Sequence, residues 1–155
     1  MDMVDRVLAV VTTAATPVVE LRGAIPLGLA LGLAPWQAWM WSVLGNLLPV
    51  PALLWGTRTG LNWLERQPWL HSRLKGWGER GSSRLAARVR RWGLLGLAAF
   101  VAAPLPGTGA WTGAVAASFL GIRPVPALGA ITLGVVAAGL LVAGAGAAAV
   151  TIGRG

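Results

Sequence analysis

The chain of 155 residues is 55% hydrophobic and 12% charged, has a mean hydropathy of +0.67 and carries a net charge of +8. A soluble domain normally has about 25% charged residues, so this chain cannot cover a water-facing surface and reads as one small all-α integral membrane domain. It has no cysteine, which excludes disulfides and thiolate metal sites. In so apolar a chain the basic excess points to membrane topology and anionic headgroups rather than nucleic acid.

Residues 4–34 read as a helical hairpin that enters a bilayer and returns. The uncharged run Val7 to Val19 has thirteen residues, about 20 Å of helix, against a hydrocarbon core of about 30 Å. Pro17 bends or ends that arm. The segment Glu20-Leu-Arg-Gly-Ala-Ile-Pro26 then sets a carboxylate and the guanidinium of Arg22 two residues apart inside apolar sequence. Gly23 and Pro26 weaken a continuous helix, so Pro17, Gly23 and Pro26 are expected at the hairpin tip. Intramembrane charges are costly, and where they persist they are paired, turned inward or lining a wet cavity.

Residues 36–56 are expected to span. Trp36, Trp39 and Trp41 crowd one end and Trp55 the other, as interfacial anchors do. Pro49 and Pro51 should kink the span. Its strongly polar side chain, Asn46, either faces the hairpin tip or hydrogen-bonds a neighbouring helix. Residues 57–91 form a basic linker with nine of the thirteen Lys and Arg residues. Tryptophans and leucines at helical spacing make it an amphipathic surface helix, and the positive-inside rule places it in the cytoplasm.

Residues 92–122 carry no charge, and Pro104-Leu-Pro-Gly-Thr-Gly109 breaks them in the middle. They are read as a second hairpin, with Pro104, Pro106, Gly107 and Gly109 at the tip; one kinked, tilted span is the alternative. Residues 124–152 follow as a second span, rich in glycine and alanine, which allow close helix packing.

The two halves align without gaps at an offset of 89. Gly32-Leu-Ala-Pro35 falls on Gly121-Ile-Arg-Pro124, Pro17 on Pro106 and Gly45 on Gly134. Each half is a hairpin followed by a span. A hairpin returns to its own side and a span crosses once, so the second half begins on the opposite face: an inverted repeat, the layout of many transporters.

No nucleophile–base pair, carboxylate dyad, metal cluster or phosphate loop is present, so the chain reads as no enzyme and needs no cofactor. Glu20 is the acid inside an apolar segment. A carboxyl balanced between burial and a nearby cation can take up and release protons. Arg22 and Arg123 offer forked donors suited to phosphate or carboxylate. Thr108 and Thr112, with exposed tip amides, are candidates to hydrate a head group or ion.

The motifs ELRGAIPLGLALG and, beyond the basic loop, PLPGTGAWTGA resemble the family of small multidrug export proteins, and more distantly the DedA/VTT superfamily, over nearly the whole chain. That resemblance implies two opposed re-entrant hairpins, a prokaryotic plasma-membrane location and a link to lipid translocation, with Glu20 matching the essential glutamate of the first hairpin. The second DedA hairpin carries arginines beside its Pro-Gly turn. Here Pro106-Gly107 is kept and the nearest arginine is Arg123. The leading expectation is a flippase for an anionic, polyprenyl phosphate-like lipid, with Glu20 titrating. The others are an exporter of small cationic amphiphiles and a non-transporting membrane scaffold. Two spans make thin walls, so a homodimer or larger assembly is expected in contact with membrane lipids.

Overall fold

In a computed structural model the described residues are 2–64, 87, 89, 91–105 and 108–152. They are helical, with no strand among them: α1 Met3–Ala15, α2 Glu20–Ala30, α3 Pro35–Leu47, α4 Pro49–Leu64, α5 Leu94–Ala102, α6 Ala110–Phe119 and α7 Pro124–Ile152. Most expectations for the basic linker fall on residues outside this set, as do those for Pro106 and Gly107.

Local chemistry sets the helix ends. Asp5 accepts the Asp2 backbone N–H at 3.2 Å and opens α1. Thr16 donates its hydroxyl to the Thr13 carbonyl at 2.7 Å, and Pro17 follows, where the helix cannot continue. Gln37 accepts the Ala34 N–H at 3.0 Å. Pro35 and Pro124 open α3 and α7 at the first position, where a missing N–H costs nothing.

The hairpin turn therefore lies earlier than the proline and glycine pattern implies. It is Thr16–Val19, while Gly23 and Pro26 sit inside α2. Pro26 removes only the bond to the Arg22 carbonyl. Leu21, Ala24, Ile25 and Gly28 are all buried along α2, and that packing outweighs one lost hydrogen bond. The second break is longer: α5 ends at Ala102 and α6 begins at Ala110, and the described residues between them, among them Pro104 and Gly109, are not helical.

The four arms α1, α2, α5 and α6 have 13, 11, 9 and 10 residues, about 14–20 Å of helix each. Pro35–Gly56, 22 residues, and Pro124–Gly146, 23 residues, are long and apolar enough to cross a membrane. The first comprises α3 and the start of α4. Leu48, between them, keeps helical angles and donates to Leu44 at 3.1 Å. Pro49 comes next and cannot bond the Gly45 carbonyl.

The corners that precede the two crossing helices share one backbone conformation at an offset of 89. Leu31 N–H donates to Leu27 at 2.9 Å, and Leu120 N–H to Ala116 at 3.0 Å. Gly32 bonds Leu29 as Gly121 bonds Ser118, and Leu33 bonds Gly28 as Ile122 bonds Ala117. Gly32 and Gly121 have φ of 81° and 68°. Each corner is thus a glycine-ended helix terminus that satisfies its last carbonyls and reverses the chain.

The chain divides into two compact units, Met1–Pro49 with Val135–Gly155, and Val50–Gly134. In the first, α1, α2 and α3 each pack against the other two. Val10, Ala14, Ala24, Leu33 and Ala38 form its core. Gly45 lies so close to α1 that a Cβ on it would meet the Val11 carbonyl oxygen at 2.5 Å. Gly139 of α7 lies under the Trp39 indole. In the second unit Gly134 of α7 meets α5 in the same way, its Cβ position 2.6 Å from the Ala98 carbonyl oxygen and 2.7 Å from Val101 Cβ. The division cuts through α7, whereas the sequence repeat keeps residues 124–152 whole. Outward along α3, α4 and α7, Leu44, Leu48, Trp55, Leu133, Leu140 and Leu141 are exposed, an apolar coat suited to lipid.

Candidate functional site

The first hairpin turn is closed by Glu20 N–H donating to Thr16 at 3.2 Å and Gly23 N–H to Val19 at 3.3 Å. Glu20 begins α2, where the exposed N–H groups of a helix start favour a carboxylate. Its φ is +51°, the positive value found at no other described residue except glycines. A left-handed backbone costs a side-chain-bearing residue about 1–2 kcal/mol. The equivalent position in the second half, 89 residues on, is Gly109, with φ of 150°. Both halves enter the second arm through a positive φ. One fills it with glycine, and the other holds a glutamate there.

That glutamate is 7% exposed, and it is the charged side chain buried among the described residues. Arg22 is half-buried on the first turn of α2. Both engage in polar interactions, so neither is an idle charge. Buried ionisable groups inside apolar helices mark functional sites by default, and backbone strain held at such a group strengthens that reading.

Alongside lies α3. Gly28 of α2 sits against Ala38 of α3, its Cβ position 2.9 Å away, and the two helices run antiparallel through the Gly32 corner. Eight residues back along α2 reach Glu20, and eight forward along α3 reach Asn46. At equal rise per residue these stand at the same level. Asn46 is 1% exposed and Ser42 is 0%. Asn46 Oδ1, Ser42 Oγ and Trp39 Nε1 are buried without a hydrogen-bond partner. Asn46 Oδ1 is therefore not tied to a neighbouring helix. Ser42 is not conspicuous in sequence, and Trp39 reads there as an interfacial anchor; their shared signal is the spacing 39, 42, 46, one face of a helix.

The other sequence candidates belong to the second unit. Thr108 shares its one hydroxyl proton between the Ala103 carbonyl at 2.6 Å and the Leu105 carbonyl at 2.8 Å, so it pins the second break to itself. Thr112 is exposed, and its hydroxyl points at the Gly109 carbonyl at a long 3.5 Å. Arg123 is exposed at the corner before α7, where its backbone carbonyl accepts the Ala127 N–H at 3.1 Å. The structure thus groups Glu20, Arg22, Ser42 and Asn46 in one unit and Thr108, Thr112 and Arg123 in the other. Among the described residues no three His, Cys, Asp or Glu side chains gather as metal ligands would.

A family model described as "Putative small multi-drug export protein" matches residues 20–141, a stretch that begins at Glu20, just after the first turn, and takes in the second break. No curated protein and no solved structure matches the chain. A family named for export and two helices of crossing length mark a membrane protein.

Proposed function

The chain belongs to the small multi-drug export family, and from that premise we propose that it moves small amphiphiles across the membrane, with Glu20 as the group that meets the cargo or its counter-proton. The single observation that carries this is the buried Glu20 carboxylate, kept in left-handed backbone where the duplicate position is glycine. The arms are too short to cross. The doubled corners support reading each arm pair as a re-entrant hairpin and the halves as an inverted repeat, with irregular backbone protected at membrane depth by protein or water. The basic linker is assigned to the cytoplasm of a prokaryotic cell, and the working form to a homodimer or larger.

Burial supports one sign of cargo over the other. The charge withdrawn from solvent is the carboxylate. Arg22 is half-buried and Arg123 exposed. A cationic amphiphile would find its counter-charge at Glu20, which favours this cargo over an anionic lipid. The second reading, a polyprenyl phosphate-like lipid, draws support from Arg22 on the same helical turn, a forked donor for phosphate.

Reconstituted protein decides between them. Uptake of a lipophilic cation and flipping of a fluorescent polyprenyl phosphate are measured for wild type, Glu20→Gln and Arg22→Ala. The cation reading expects uptake to vanish in Glu20→Gln and to persist or rise in Arg22→Ala. If both variants are dead and only the phosphate lipid moves, the second reading replaces it. If neither cargo moves while the protein accumulates normally, the chain is a scaffold.

A further inference from the structure

On α3, Trp39, Ser42 and Asn46 recur at steps of three and four, so they share one face. Ala38 and Gly45, on one side of that face, pack against α2 and α1; Trp39 and Val43, on the other, pack against Gly139 of α7. Ser42 and Asn46 thus lie in the seam where α3 meets α1 and α7, all inside one compact unit. The three polar atoms include a donor, a hydroxyl and an acceptor, and none has a partner. Buried polar groups in native proteins are almost always satisfied, and each exception calls for an explanation.

The duplicate half shows that the fold does not require them. At the offset of 89, Trp39, Ser42 and Asn46 correspond to Leu128, Ile131 and Val135 on α7. Ile131 and Val135 are each 0% exposed and purely apolar. The corresponding helix positions are apolar in one half and polar in the other. An apolar residue would cost nothing at these positions, so the polar atoms answer to an arrangement other than the packed one.

We propose that the Trp39–Ser42–Asn46 face of α3 is a wall of the export path, shut in this structure and wetted when α3 parts from α1 and α7. It leads along α3 to the level of Glu20 and, resting on the export reading above, gives water and cargo their route to that carboxylate. In the shut form Trp39 Nε1, Ser42 Oγ and Asn46 Oδ1 are dehydrated and unpaired. Opening gives each of them water, so the orphaned atoms bias the unit toward opening.

The chain has no native cysteine, so single-cysteine variants report on one position each. Full-length protein carrying Ser42→Cys, Asn46→Cys, Ala38→Cys or Leu44→Cys is treated in sealed vesicles with a charged, membrane-impermeant methanethiosulfonate reagent, from each face in turn. Thiolates react only where water reaches them. Cysteine at 42 and 46 is expected to react at least tenfold faster than at 38, which is as deeply buried, and at 44, which faces lipid. Equal rates at 42, 46 and 38 overturn the proposal. A second measurement guards against misfolded cysteine variants: Ser42→Ala and Asn46→Val, which imitate the dry half, should raise the melting temperature in detergent and slow cation uptake. A lowered melting temperature would mean that these groups are already satisfied, and would also overturn it. Rapid labelling without uptake of any cation leaves the opening intact and removes the export reading instead.

Discussion

Replacing Glu20 by glycine and by alanine separates backbone from side chain. Both substitutions remove the carboxylate and its interactions. Only alanine keeps a Cβ at φ +51°, where the left-handed backbone costs about 1–2 kcal/mol. Glycine escapes that cost but loses about 0.5–1 kcal/mol more conformational entropy on folding. The balance leaves Glu20→Gly about 0.5–1 kcal/mol more stable than Glu20→Ala, or about 1–4 °C in melting temperature for a chain of this size. Thermal unfolding in one detergent, at one protein concentration, measures the difference directly, because everything the carboxylate touched is lost equally from both. Cation uptake should be absent in the pair. An alanine variant that melts at or above the glycine variant would refute the left-handed backbone and, with it, the argument that a glutamate is kept where glycine is cheaper.

Gly45→Ala and Gly134→Ala should each destabilise the unit that contains them. The new Cβ would lie 2.5 Å from the Val11 oxygen or 2.6 Å from the Ala98 oxygen, against ordinary contact at 3.4 Å or more. A hairpin arm must retreat in each case, at about 1–3 kcal/mol for overpacking, partly offset by about 0.8–1 kcal/mol of helix propensity; melting curves check this. Gly121→Ala meets no neighbour within 4 Å, so its φ of +68° alone should lower stability by about 1 kcal/mol, and a neutral result would show the corner to be plastic. Thr108→Val deletes the hydroxyl bond shared between two carbonyls of the second break, for a loss of about 0.5–1.5 kcal/mol. Uptake per folded molecule should stay unchanged; a selective loss of uptake would move the binding site into that break.

The helices were readable where the sequence punctuates them before they begin. Pro35 and Pro124 open the crossing helices, and Gly32 and Gly121 close the arms before them, so those boundaries follow from backbone chemistry alone. Pro26 misled because its cost is one hydrogen bond, while the burial of Leu21, Ala24, Ile25 and Gly28 is a tertiary gain that no local pattern displays. The offset of 89 could be read from a few glycines and prolines. That the halves share corner hydrogen bonds needed coordinates. Glu20 was conspicuous as a carboxylate among apolar residues, yet its positive φ was not, since the sequence there offers no glycine or asparagine to announce it. Trp39 and Ser42 were hidden because tryptophan and serine are ordinary in a membrane helix; only the missing partners single them out.

The offset of 89 also separates recurring residues from unmatched ones. Where the halves agree, at Gly32 and Gly121, Pro35 and Pro124, Gly45 and Gly134, Ala38 and Ala127, the residues turn the chain or let helices touch. Where they differ, the first half holds Glu20 against Gly109, Arg22 against Trp111, Ser42 against Ile131 and Asn46 against Val135. The second half has polar residues of its own, but Thr108 is spent on the carbonyls of its own break, and Thr112 and Arg123 are exposed. A fold that needed polar groups at these depths would need them in both halves. Their concentration in residues 20–46 sets the proposed carboxylate site apart from the residues that recur at the offset of 89. An export function centred on the second break would require the opposite distribution of damage: lost uptake from Thr108 and Thr112 variants, and tolerance of Glu20→Gly.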